Sequence, residues 1–173
     1  GADVHLVESF APATRLALKN AKGLPKDAGR FQATAGEVSD VLTRLTRSAG
    51  PTARACDVVV INPPRRDIAP LVHEQVALLR PRAIGYVSCD PETLARDLDH
   101  FRRLGYAPTM VQPLDMIPLT EEVETVVVLR QAALPAPRIA YSDDEIIVVE
   151  KPPHEPTTPQ GEYSGSLLSR VRL

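Results

Sequence analysis

Asp57-Val-Val-Val-Ile-Asn-Pro-Pro, residues 57–64, is the stretch on which the fold turns. Four β-branched residues follow one another with no apolar/polar alternation, as expected of a central parallel strand covered on both faces. Toward the carboxyl end, Leu71 to Leu79 reads as a helix, Ala83 to Ser88 as another apolar strand, and Pro91 to Leu104 as a helix with Leu94, Leu98 and Phe101 on one face. Toward the amino end, Phe31 to Ala33 is a weak strand, followed by Val38, Val41, Leu42 and Leu45 at the i, i+3, i+4, i+7 spacing of an amphipathic helix. Val4 to Val7 is a further strand, followed by an Ala/Leu-rich helix with Pro12 near its start and Gly23 at its end. Four β-α units in series predict an α/β fold with a doubly wound parallel sheet.

Past residue 104 the pattern changes. Tyr106 to Val111 and Val123 to Leu129 are successive strands with no helix between them, so the sheet should end in an antiparallel pair. Residues 131–137 form a Pro-rich linker, and Arg138 to Tyr141 and Ile146 to Val149 then make a strand, turn, strand. The expected domains are therefore 1–130, the linker 131–137, and the start of a second domain at 138–173. The chain opens without Met and stops inside an apparent helix, so a fragment is the expectation.

The chain has 173 residues, 43% hydrophobic and 24% charged, with a formal net charge of −2. No apolar run reaches the roughly 18 residues of a membrane span and no signal peptide opens the chain, which excludes a membrane role and predicts a cytoplasmic protein. Cys56 and Cys89 are too few for a disulfide framework or a Cys-rich zinc site. His5, His73, His100 and His154 lack metal-ligand spacing, so no metal is expected. The near-neutral charge does not favour holding nucleic acid by charge alone.

In an open parallel sheet ligands bind at the carboxyl ends of the strands, where Glu8, Asn62-Pro-Pro-Arg, Ser88-Cys-Asp-Pro and, near the antiparallel pair, Glu124 stand. Glu8 could accept both hydroxyls of a ribose, and a solvated strand-end acid would look the same. Cys89 precedes a helix capped by Asp90 with Pro91 at its first position, so its thiol should meet free N–H groups and the positive end of a helix dipole. An inert, buried thiol is the alternative. Glu122 and Glu124 share one strand face, as a general base with a raised pKa or as charges defending an edge strand.

Asn62-Pro-Pro-Arg, Tyr86-Val-Ser-Cys-Asp-Pro-Glu-Thr-Leu-Ala-Arg-Asp-Leu and Leu114-Asp-Met-Ile-Pro-Leu-Thr-Glu-Glu-Val-Glu-Thr-Val-Val-Val-Leu together resemble motifs of the RNA 5-methyluridine methyltransferases. These S-adenosylmethionine-dependent enzymes methylate C5 of uridine in ribosomal or transfer RNA, and the matches span most of residues 4–130. The resemblance implies a Rossmann-like methyltransferase sheet, with Cys89 as the nucleophile that adds to C6 and Glu124 as the base that removes the C5 proton. It also implies that Glu8 holds the cofactor ribose and that Asn62, where the family usually has Asp, lines the cofactor pocket. Further departures are Leu119 and Glu122 where His is common, Asp90 for Asn, and Ala33-Thr34-Ala35 without the usual polar residue. The family's first strand and Gly-rich cofactor loop would precede Gly1.

Arg138-Ile-Ala-Tyr-Ser-Asp-Asp-Glu-Ile-Ile-Val-Val-Glu-Lys-Pro-Pro resembles the opening of ribosomal and transfer RNA pseudouridine synthases, whose catalytic Asp would lie beyond Leu173. A parent protein joining two uridine-modifying activities is the implied expectation. The competing readings are a noncatalytic RNA-docking module with a decayed methyltransferase fold, and a methyltransferase acting on another pyrimidine or a small molecule.

Overall fold

The structure, a computed structural model, describes residues 1–25, 27–49, 56–65, 68–116, 118–120, 123–132, 137–151, 157–158 and 166–171. The chain divides into two compact units, Gly1–Ala55 and Cys56–Leu173.

In the first unit β1 (Val4–Glu8), α1 (Ala11–Ala21), β2 (Phe31–Ala35) and α2 (Val38–Ala49) follow in order. The strands β1 and β2 pair in parallel, Val4 opposite Phe31 and Glu8 opposite Ala35. The weak strand at Phe31 thus runs two residues beyond its sequence signal, because parallel pairing with β1 supplies what local propensity does not. On α2 the periodic residues Val41 and Leu42 are buried, Leu45 is half-buried and Val38 remains open.

The second unit is built on β3 (Val58–Ile61), α3 (Pro70–Leu78), β4 (Ala83–Ser88), α4 (Pro91–Arg103), β5 (Tyr106–Leu114) and β6 (Glu124–Gln131). Its four-stranded sheet has the order β3-β4-β6-β5. The pair β3-β4 is parallel, while β6 runs antiparallel to both β4 and β5. Pro108 and Pro113 explain why β5 takes the edge, since neither can donate a ladder hydrogen bond, and a bulge interrupts the register between Pro108 and Met110. Ile84, Tyr86 and Ser88 stand opposite Leu129, Val127 and Thr125, and all six are buried. Phe101 of α4 meets Tyr86 edge-on and is fully buried, so α4 lies on this face of the sheet. Gly105, at φ +84, ends α4 in the left-handed conformation that glycine adopts without steric cost, and its carbonyl accepts the Ala132 N–H.

A third sheet pairs β7 (Arg138–Ser142) with β8 (Ile147–Glu150) antiparallel, and a short helix α5 spans Leu167–Val171. The α/β class and the terminal antiparallel pair agree with the sequence. Among the described residues the strands fall into three sheets, the last of them the separate hairpin expected beyond the linker. One expectation is corrected. The run at 57–61 is an edge strand, with Val58 and Val60 at 48% and 72% exposure, because β3 has a described partner only in β4. Glu121, Glu122 and most of the linker lie outside the described residues, and no described helix is long and apolar enough to cross a membrane.

Candidate active site

The β4–α4 turn holds Cys89, and local side chains define its path. Asp90, extended at φ −131 and ψ 109, is the N-cap of α4 and Pro91 opens the helix, where its missing N–H costs nothing. The Asp90 carboxylate accepts the N–H groups of Glu92 at 2.9 Å and Thr93 at 3.0 Å. These bonds, led by that from Thr93, hold the Asp90 carboxyl below its ordinary value. Ser88 completes the turn: its hydroxyl accepts the Asp90 N–H at 3.1 Å and donates to the Asp90 carbonyl at 3.0 Å. The backbone on both sides of the half-buried Cys89 is therefore tied down. This corrects one expectation, because the first-turn N–H groups of Glu92 and Thr93 are taken by Asp90 and are not free to meet the thiol.

Sheet register gathers three of the four candidates. Ser88 is opposite Thr125 in the antiparallel β4-β6 pair, so one step further Cys89 and Glu124 reach the same end of neighbouring strands. Glu124 is half-buried. Ile61 is level with Tyr86 in the parallel β3-β4 pair, which puts the exposed Asn62 just past the same end of β3. The arrangement can carry a nucleophile beside a carboxylate. Glu8 belongs to the other unit, where it is half-buried at the end of β1. Its Oε1 accepts the Phe10 N–H at 2.8 Å. The Phe10 ring beside it is 64% exposed.

Sequence reasoning missed a polar cluster under the β4–α4 turn. Asp97 of α4, 4% exposed, accepts hydrogen bonds from the Tyr86 hydroxyl and, at 3.0 Å, from the Nε2–H of His73 on α3. The His73 ring stacks on His100 with centroids 4.4 Å apart and meets Phe101 at 4.8 Å. A signal did exist, since Asp97 lies three residues after Leu94 and four before Phe101, on the apolar face of its helix.

Strand order, parallel β-α units and candidate residues at strand ends define an α/β sheet of the Rossmann-like methyltransferase kind. Particular relatives agree. The chain is 39% identical over 127 residues to an uncharacterized RNA methyltransferase of Geobacter sulfurreducens, covering 73% of this chain and 24% of that protein. It is 35% identical over 130 residues to one of Streptococcus mutans, covering 75% of this chain and 28% of that one. Among solved structures it is similar to the tRNA (uracil-54, C5)-methyltransferase of Pyrococcus abyssi in complex with S-adenosyl-L-homocysteine, with a TM-score of 0.59 and 28% identity over 75% of this chain and 29% of that one. No family model matches. The chain spans about a quarter of the length of these relatives.

Proposed function

We propose that the chain is part of an S-adenosylmethionine-dependent RNA methyltransferase that modifies C5 of uridine in ribosomal or transfer RNA. The observation that carries this reading is the β4-β6 register, which brings the ends bearing Cys89 and Glu124 together. Relatives named as RNA methyltransferases, and a uracil-C5 enzyme among the similar structures, support the substrate class. In this reading the Cys89 thiolate adds to C6 of the uracil ring, leaving C5 nucleophilic. Once C5 is methylated, Glu124 removes its proton and the electrons returning to the C5–C6 bond expel Cys89, so the thiolate is regenerated. Recognition needs an unstacked or extruded uridine, because the thiol must reach the ring face.

The residues of the chain fit the cofactor. Glu8 keeps one carboxylate oxygen on the Phe10 N–H, which in this reading leaves the other for ribose hydroxyls, and Phe10 offers an exposed aromatic surface nearby in the chain. Asn62, just past the end of β3, is the second residue we read as cofactor-binding. When bound, S-adenosylmethionine would supply an electrophilic methyl group. The exposed β7-β8 hairpin, with Ile139, Tyr141, Ile146 and Val148 open to solvent, suits the start of another domain, and a pseudouridine synthase is our reading of it.

The test is trapping of the full-length protein on RNA containing 5-fluorouridine in the presence of S-adenosylmethionine. Fluorine at C5 cannot leave as a proton, so a covalent complex should accumulate with wild type and vanish with Cys89→Ala. No complex, from folded protein that binds RNA, would favour the noncatalytic docking module. A complex with RNA containing 5-fluorocytidine but not 5-fluorouridine would shift the substrate to cytosine.

A further inference from the structure

The buried cluster of Tyr86, Asp97 and His73 is polar where an apolar trio would fill the same space. Burying a carboxylate costs free energy that hydrogen bonds only partly return, so such groups recur where geometry must be unique. Here the geometry concerns the nucleophile's turn. Tyr86 is three residues before Cys89 on β4, and Asp97 is seven residues past the Asp90 cap, two turns into α4. Their hydrogen bond closes the strand-turn-helix unit from beneath. The same carboxylate takes the Nε2–H of His73, which adds α3 to the lock. His73 Nδ1 is buried with no hydrogen-bond partner among the described residues. The network therefore assigns the proton to Nε2, since a lone pair is left unpaired at Nδ1 and not an N–H.

We infer that Tyr86, Asp97 and His73 form a brace that positions Cys89 for attack, by fixing the start of α4 against the end of β4. They are positioning residues and touch no reacting atom. Apolar packing alone would let a helix slide along a sheet by fractions of an ångström, whereas two directional bonds to one carboxylate resist this. Ser88 and Asp90 hold the turn locally, and the brace sets where that turn stands. The proposal rests on the reading of Cys89 as nucleophile.

The experiment uses the full-length protein with Tyr86→Phe, Asp97→Leu and Asp97→Asn. Two rates are followed: accumulation of the 5-fluorouridine RNA adduct, and alkylation of Cys89 and Cys56 by iodoacetamide, read peptide by peptide. Loss of the brace by Tyr86→Phe or Asp97→Leu should slow the maximal adduct rate roughly ten- to a hundredfold through misplacement, with the half-saturating RNA concentration unchanged. In the same variants the half-buried Cys89 should alkylate several-fold faster while Cys56 does not change. Asp97→Asn, whose amide oxygen still accepts from Tyr86 but whose bond to His73 would require the tautomer that leaves an unpaired N–H at the buried Nδ1, should restore part of the adduct rate. If Asp97→Leu does not fold, Tyr86→Phe, one oxygen smaller, reads the same step.

Adduct formation at the wild-type rate overturns the brace, as does a parallel rise in Cys56 and Cys89 alkylation, which would mean general loosening. An adduct that survives Cys89→Ala overturns the nucleophile and with it the purpose of the brace, while alkylation of Cys89 in the other variants still reports separately whether the brace holds the turn.

Discussion

At the β4–α4 turn a hydroxyl, a capping carboxylate and a buried brace hold the backbone, whereas at the β1–α1 turn one carboxylate does so. Phe10 caps α1 without a side-chain hydrogen bond, and Glu8 alone reaches across to its N–H. The difference suits the work proposed for each. A nucleophile must be held to a fraction of an ångström of its target, while a ribose-holding acid needs an oxygen left over for its ligand. The two helices differ in the same sense, since α4 buries Leu94, Asp97 and Phe101 and α1 fully buries only Thr14.

Breaking the foundations of the two turns should expose that contrast most strongly. Phe101→Ala removes a fully buried ring packed on Tyr86 and His73 and should cost about 3–5 kcal/mol. Leu16→Ala on α1, 57% exposed, should cost less than about 1 kcal/mol. Denaturant unfolding of the two variants measures both. Equal losses would mean that α4 is no better anchored than α1.

A smaller effect separates the caps. The Asp90 carboxyl is held below its ordinary value of 3.8, chiefly by the Thr93 N–H. A lowered folded-state value means that the cap's contribution is complete above the unfolded value and is lost as pH falls through the folded one. Asp90→Asn keeps an acceptor for the cap but cannot titrate. Thermal unfolding should therefore show wild type losing ground to Asp90→Asn only below about pH 3.8, with parallel curves at neutral pH. A difference that grows between pH 5 and 8 would contradict the capping account.

Much of this contrast was legible before the structure. The strand-helix alternation, the N-cap at Asp90, Pro91 and the strand-end positions of Glu8, Asn62 and Cys89 follow from local rules, because caps and periodicity are written within a few residues. Pairing is not local. The run of β-branched residues at 58–61 signals apolarity on both faces but not how many neighbours a strand has, so its edge position escaped notice. The placement of β6 against β4 likewise depends on distant residues, and it is this placement that brings Glu124 level with Cys89. Asp97 was hidden by its own charge. A carboxylate on a helix face is ordinarily solvated, and only donors from β4 and α3 make its burial tolerable.

The smallest stability effect belongs to Glu8, and it sharpens the comparison from the other side. Glu8→Gln retains an oxygen for the Phe10 N–H, so the β1–α1 turn should keep its form and unfolding should shift by less than about 0.5 kcal/mol. Its charge is lost, and hydrogen bonds from ribose hydroxyls to a carboxylate are roughly twice as strong as those to a neutral oxygen. Binding of S-adenosylhomocysteine to the full-length protein, followed by calorimetry, should weaken by about tenfold for Glu8→Gln. Glu8→Ala should weaken it further and also release the Phe10 N–H. If Glu8→Gln binds as wild type does while Glu8→Ala loosens the turn, then the carboxylate serves the β1–α1 turn alone, and the two turns differ in strength without differing in purpose.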